Sequence, residues 1–264
     1  MDLELHDARV IVTGGASNIG RGIVHGFARE GARIVLADLD REQAERVRAE
    51  AKELGAGEVR VLDLDLSVDG AGGRVAREAL DAWGGIDALV NNAGWSVPGF
   101  LTEQTDRTLW QRTIEVNLFT AIDCTQAVLG AMGEAGRGSI VFISSDAAFG
   151  AIRQGIYGTT KAGLIALART TAREQGRRGI RSNVVCPGLV LPDDEGVGAH
   201  SLWSGGRDAI FDPDQIEYVR KQTPLRRLTT AQDVADAVVW LSSERTARQV
   251  TGQVVAVGGG SSMP

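Results

Sequence analysis

Short apolar runs alternate with amphipathic helical stretches through most of this 264-residue chain, and a Gly or Asp marks each switch. Val10-Ile11-Val12-Thr13 ends in Gly14-Gly15 and gives way to a helical pattern from Ile19 to Arg29. Ile34-Val35-Leu36-Ala37 stops at Asp38, and a charged helix over 40–54 closes at Gly55. Val59-Arg60-Val61-Leu62 and Ala88-Leu89-Val90 flank a helix predicted from about Ala71 to Trp83, whose first turn is weakened by Gly70, Gly72 and Gly73. Helices predicted at about 106–133 and 156–177 lead into the strands Ser139–Ile143 and Ser182–Val185, and Gln253–Val257 closes the series. Strands this short and this apolar need cover on both faces, which the intervening helices supply. With right-handed crossovers the pattern predicts an α/β fold, a doubly wound parallel sheet of about seven strands with helices on both faces. Ligands are then expected at the carboxyl ends of the strands.

No repeat, low-complexity tract or composition break divides the chain, so 1–264 reads as one domain. The stretch from Leu189 to Thr223 lacks clear periodicity and carries several Gly and Pro with Trp203, Phe211 and Tyr218 among them. A segment of that length inside a compact domain reads as a substrate lid. The formal charge of −6 offers no basic surplus for phosphates, which argues against nucleic acid as the main ligand. No apolar run approaches the ~18 residues of a membrane span. The acidic start Met1-Asp2-Leu3-Glu4 is unlike a signal peptide, and two cysteines, Cys124 and Cys186, build no disulfide framework. A cytoplasmic protein is expected.

Thr13-Gly14-Gly15-Ala16-Ser17-Asn18-Ile19-Gly20 lies between the first strand and the first helix. Side-chain-free turns there let backbone N–H groups and the helix N-terminus approach a pyrophosphate, although an ordinary strand–helix turn would look similar. Asn18 stands at the middle glycine of the usual pattern and is, after Gly, the residue that best tolerates a left-handed backbone. Asp38 ends the second strand, where a carboxylate accepts hydrogen bonds from an adenosine ribose and repels a 2′-phosphate; it points to NAD over NADP. Tyr157 and Lys161 stand four apart on one helix face. With two tyrosines and three lysines in the chain, chance gives that spacing only ~2% of the time. A nearby ammonium favours the phenolate and, with a nicotinamide cation, is expected to bring Tyr157 toward working pH.

In these residues the chain resembles the short-chain dehydrogenase/reductase family, from about Leu5 to Gly260. The resemblance rests on Thr13-Gly14…Gly20, Asp65-Leu66, Asn91-Asn92-Ala93-Gly94, Asn117, Ser144-Ser145, Tyr157…Lys161 and Pro187-Gly188, in the family's order. It implies a Rossmann fold, a nicotinamide cofactor and a catalytic group of Asn117, Ser145, Tyr157 and Lys161. By the same likeness Gly14, Ser17, Asn18, Ile19, Gly20, Asp38 and Leu39 would hold the adenosine diphosphate half. Asp65 and Leu66 would flank the adenine, and Asn91, Ala93 and Gly94 would line the cofactor channel. Pro187, Gly188 and Val190 would meet the nicotinamide, with Tyr157 and Lys161 beside it. Members pair subunits through the helix at 156–177, so a homotetramer is expected.

The sequence departs from the family at Asn18, at Pro192, where many members place a threonine, and at Gly258, where an aspartate is common. The segment from the serine pair to Tyr157 is also one residue short. Anchoring on the strand Ile140–Ile143 makes Ser145 the catalytic serine, whereas counting back from Tyr157 makes it Ser144; loops absorb deletions more readily than strands change register, which favours Ser145. Trp95, directly after the Asn-Asn-Ala-Gly turn, is either core or a wall of the substrate pocket, and Trp203 is expected to join that pocket from the lid. Trp240 falls on an apolar helical stripe and reads as core. No metal-ligand spacing and no Gly-x-Ser-x-Gly occurs.

These features predict an NAD-dependent oxidoreductase interconverting a secondary alcohol and a ketone, with Tyr157 as general base and acid. The alternatives are a catalytically silent NAD-binding partner subunit and a dehydrogenase of a hydroxyacyl-CoA thioester. Ile143–Ala148 and Asn183–Gly188 are similar to dehydrogenases acting on alicyclic hydroxyacyl-CoA thioesters.

Overall fold

The computed structural model describes residues 2–192, 197 and 212–264. Its strands are β1 (Arg9–Thr13), β2 (Arg33–Asp38), β3 (Glu58–Asp63), β4 (Ala88–Asn91), β5 (Gly138–Ile143), β6 (Ile180–Pro187) and β7 (Val254–Val257). They pair in parallel in the order β3-β2-β1-β4-β5-β6-β7. The order reverses between β1 and β4, and at that switch point the loops after neighbouring strands part to leave a crevice.

Alternate side chains of each strand feed two cores. Val10, Val12, Ile34 and Leu36 pack on one face with α1 (Asn18–Arg29), α2 (Arg41–Glu53) and α8 (Ala231–Ser242). Ile11, Val35, Leu89, Ile140 and Phe142 pack on the other with α3 (Ala71–Trp83), α5 (Thr120–Ala135) and α6 (Gly155–Gln175). Trp240 is partly buried against the first core. At the amino ends of the strands, Asp87 accepts Arg9 N at 3.0 Å, Nε at 2.7 Å and Nη2 at 2.8 Å, tying β1 to the entry of β4. No helix of the described residues is long and apolar enough to cross a membrane.

Two expectations need correction. The helix over 106–133 is instead α4 (Arg107–Ile114), a π-turn at Glu115–Phe119 and then α5. The wider turn is held by Thr120, whose Oγ1 donates to Leu66 O at 3.1 Å and to Glu115 O at 3.2 Å, and it swings Asn117 inward to 1% exposure. The aperiodic stretch at 189–223 contains α7 (Pro213–Gln222), started by a capping box between Asp212 and Gln215 with Pro213 in the first turn. Trp203 and Phe211 lie outside the described residues. A short α9 (Glu244–Ala247) precedes β7.

Candidate active site

A cleft of about 1360 Å³ opens over the carboxyl ends of the strands, from the β1–α1 turn to the start of α6. The turn is tightly packed. Gly14 has φ +62°, and a Cβ there would lie 2.8 Å from Ala93 Cα, while one on Gly20 would strike the Gly14 carbonyl oxygen. Asn18 adopts φ +42°, the left-handed backbone expected of it. Its Nδ2 donates to Val190 O at 3.4 Å, and its Oδ1 is buried without a partner among the described residues. Ser17, the N-cap of α1, makes no side-chain cap, and no acidic residue stands in the first turn. That leaves the helix N-terminus open to an anion, so the turn fits a dinucleotide pyrophosphate.

Asp38 sits at the end of β2 with its carboxylate anchored. Oδ2 accepts Ala16 N at 2.9 Å and Oδ1 accepts Asp40 N at 3.0 Å. Burial holds its carboxyl above the usual range, and these backbone donors pull it back. Leu39, Asp65 and Leu66 border the same part of the cleft. Ser67 N and Oγ hold Asp65 Oδ1 at 2.9 and 2.6 Å. Asn91 departs from the expected channel position: its side chain is buried and donates to Thr125 Oγ1 on α5 at 3.1 Å. Asn92, which the sequence reading passed over, faces the cleft and donates to Gly14 O at 2.7 Å. Ala93, Gly94, Pro187, Gly188 and Val190 also line it.

At the far end α6 presents Tyr157 and Lys161 to the cleft, with Ser145 opposite. Lys161 is 2% exposed and its Nζ donates to Ile143 O at 2.9 Å. A Cβ on Gly94 would lie 3.2 Å from both Lys161 Nζ and Asn117 Oδ1, so the glycine leaves room where these groups converge. Asn117 is fully engaged: Oδ1 accepts Trp95 N at 2.7 Å, and Nδ2 donates to Trp95 O at 2.8 Å and Thr160 Oγ1 at 3.1 Å. Burial pushes the Tyr157 phenol up to about 12, with a Ser145 hydrogen bond opposing it, and pushes the Lys161 ammonium down to about 8. In the chain alone, therefore, burial dominates and holds the phenol away from neutral pH.

A family model described as enoyl-(acyl carrier protein) reductase matches residues 14–262. The chain is 37% identical over 255 residues to a (2S)-[(R)-hydroxy(phenyl)methyl]succinyl-CoA dehydrogenase subunit of Thauera aromatica, with 96% of each chain covered. It is 34% identical over 258 residues to an L-rhamnose-1-dehydrogenase of Scheffersomyces stipitis, covering 95% of this chain and 94% of that one. The chain belongs to the short-chain dehydrogenase/reductase family. A solved 7α-hydroxysteroid dehydrogenase complexed with NADH and 7-oxo glycochenodeoxycholic acid matches with a TM-score of 0.88 at 30% identity, over 98% of this chain and 96% of that one.

The short-chain dehydrogenase/reductase is thus an oxidoreductase with a Rossmann-type NAD(P)-binding fold, and its two adjacent serines have different surroundings. Ser144 is buried, and its Oγ donates to Lys161 O at 2.8 Å. Ser145 follows β5 into the cleft, where Tyr157 is within its hydrogen-bonding reach. Trp95 lines the cleft beneath the Arg112 guanidinium, 4.6 Å from its ring centroid. Asp146 and Gln154 also face the cleft. No spacing rule marks them, because both lie in the irregular connection from β5 to α6.

Proposed function

We propose that the protein is an NAD-dependent dehydrogenase interconverting a secondary alcohol and a ketone, and that Tyr157, Ser145 and Lys161 carry the reaction with Asn117. The observation that carries this reading is the convergence of Ser145, Tyr157 and Lys161 on one cleft that also runs past the Gly14–Gly20 turn and Asp38. The turn and the open N-terminus of α1 would hold the pyrophosphate, and Asp38 the adenosine ribose. When bound, the nicotinamide supplies the acceptor and donor of hydride.

The chain's own groups handle the proton. Tyr157 takes the hydroxyl proton in oxidation and returns it in reduction. Ser145 would donate to the substrate oxygen, and the Lys161 ammonium would hold the nicotinamide ribose and bias Tyr157 toward phenolate. With its amide occupied by Trp95 and Thr160, Asn117 acts by fixing the π-turn and Trp95, and would support a relay water only through its main chain. A silent partner subunit would have no use for this set. A hydroxyacyl-CoA thioester as substrate is the second reading, favoured by the relative of 37% identity that acts on a succinyl-CoA derivative.

The cysteines are free and buried, in keeping with a cytoplasmic enzyme, and we assign it a homotetramer; most of the lid expected at 189–223 lies outside the described residues. Screening secondary alcohols and hydroxyacyl-CoA thioesters for NADH formation tests the reading. Turnover with at least one class is expected. Absence of turnover with either, by a chain that binds NAD, would favour the silent subunit.

A further inference from the structure

Ser145 caps a single 3₁₀ turn at Asp146–Phe149, so its Oγ already accepts the N–H of Ala147, at 3.1 Å. Besides the Tyr157 phenol, its other close neighbour is the carboxyl of the next residue, whose Oδ1 accepts from Ser145 Oγ at 3.2 Å. A serine has one hydrogen to give. If Asp146 is ionised it can only accept, the Ser145 hydrogen turns to it, and none remains for a substrate oxygen. If Asp146 is neutral its own O–H donates to Oγ, and the Ser145 hydrogen is free to point into the cleft.

We propose that Asp146 is a positioning residue that acts in its neutral form, its carboxyl donating to Ser145 Oγ so that the serine hydroxyl is aimed at the substrate oxygen. The inference rests on the dehydrogenase reading for its effect on turnover. Three observations support it. Asp146 is half-buried at the cleft wall, and no Lys, Arg or His pairs with it among the described residues. The titratable groups facing it are Tyr157 from α6 and Cys186 from β6, and a negative charge on it works against ionisation of both. Burial also holds its carboxyl above the ordinary value of 3.8, against the opposing pull of Ser145 and Ala147. A charge here would oppose the phenolate that the reaction needs, whereas a neutral acid would not.

The test compares Asp146→Asn, which keeps a donor of similar shape, with Asp146→Ala, which removes it. Ketone reduction is followed as kcat/KM against pH, and NADH affinity by fluorescence serves as the control for an intact fold. Wild type should lose about tenfold or more as Asp146 ionises with rising pH. D146N should lack that step while sharing any later loss due to Tyr157. D146A should lie at least about tenfold below D146N throughout, with NADH affinity within a few-fold in all three. Retention of the step in D146N, or equal rates for D146A and D146N, overturns the proposal. A second readout needs no substrate. The infrared difference between wild type and D146N at pH ~5.5, where a solvated aspartate is ionised, should contain a protonated carboxyl band. Its absence overturns the proposal even if no ketone is ever found, and its presence without turnover faults the dehydrogenase reading instead.

Discussion

The Lys161 ammonium lies 5.6 Å from the centre of the Tyr157 ring and gives its hydrogen bond to the carbonyl of Ile143 rather than to the phenol. The buried lysine and the half-buried tyrosine therefore stand side by side at the cleft without forming a pair. Each is pushed toward its neutral form, the phenol up to about 12 and the ammonium down to about 8. Ionising Tyr157 would be helped by further positive charge, which an oxidised nicotinamide would supply when bound.

The phenol should accordingly titrate in two regimes. Near-ultraviolet difference titration of wild type against Tyr157→Phe should place Tyr157 above an ordinary phenol of 10.0 in the free chain. Saturating oxidised NAD should move it below that value, and alcohol oxidation should then rise with pH along the lower curve. A free-chain value already near neutral would contradict the burial argument.

Lys161 links pH to stability with the opposite sense from a salt-bridged lysine. Between about 8 and 10.5 the unfolded chain holds a proton that the folded chain has released, so this group makes stability rise with pH across that window. Below it the buried ammonium costs about 3 kcal/mol, at about 1.4 kcal/mol per pH unit. Lys161→Met removes that penalty and loses the bond to Ile143 O, worth about 1 kcal/mol. At pH 7 the variant should melt no lower than wild type while losing turnover. Its stability, unlike that of wild type, should gain nothing from Lys161 between pH 8 and 10.

Asp38 should confer at least ~10-fold preference for NAD over NADP, about 1.4 kcal/mol. Asp38→Ala should erase that preference. It should also destabilise the chain by about 1–3 kcal/mol, because Ala16 N and Asp40 N lose their acceptor. Steady-state kinetics with both cofactors and a urea melt would check the two effects separately.

Assembly should be visible in light scattering. Leu109 on α4 and Phe119 at the π-turn are 38% and 58% exposed, on elements that pack beside α6. Burial of such residues by a second copy would favour association. A tetramer, or failing that a dimer, is expected at micromolar concentration, and a monomer alone would contradict it.

The sheet was legible in the sequence because the inner strands β1, β2, β4, β5 and β6 are buried on both faces and read as apolar runs, while the edge strands β3 and β7 keep enough apolar residues to follow the pattern. Tyr157 and Lys161 were legible because four residues on a helix fix their shared face before any tertiary contact forms. The π-turn was not, since the apolar pattern of 106–133 continues across it and only Asn117's inward swing betrays it. Helix α7 was missed for a different reason. It buries no side chain, so it carries no apolar period, and its signal was the Asp212–Pro213–Gln215 start. Asp146, Asn92 and Gln154 face the cleft by virtue of loop paths, which residue spacing does not encode.

The central claim is that Tyr157 transfers the substrate proton. It is tested most directly by single-turnover absorbance of NADH formation with an alcohol that the wild type oxidises, comparing wild type with Tyr157→Phe at matched NAD saturation. The substitution keeps the ring and removes only the ionisable oxygen. The account predicts a rate lower by orders of magnitude with NAD affinity within a few-fold. Near-normal NADH formation by Tyr157→Phe would contradict it.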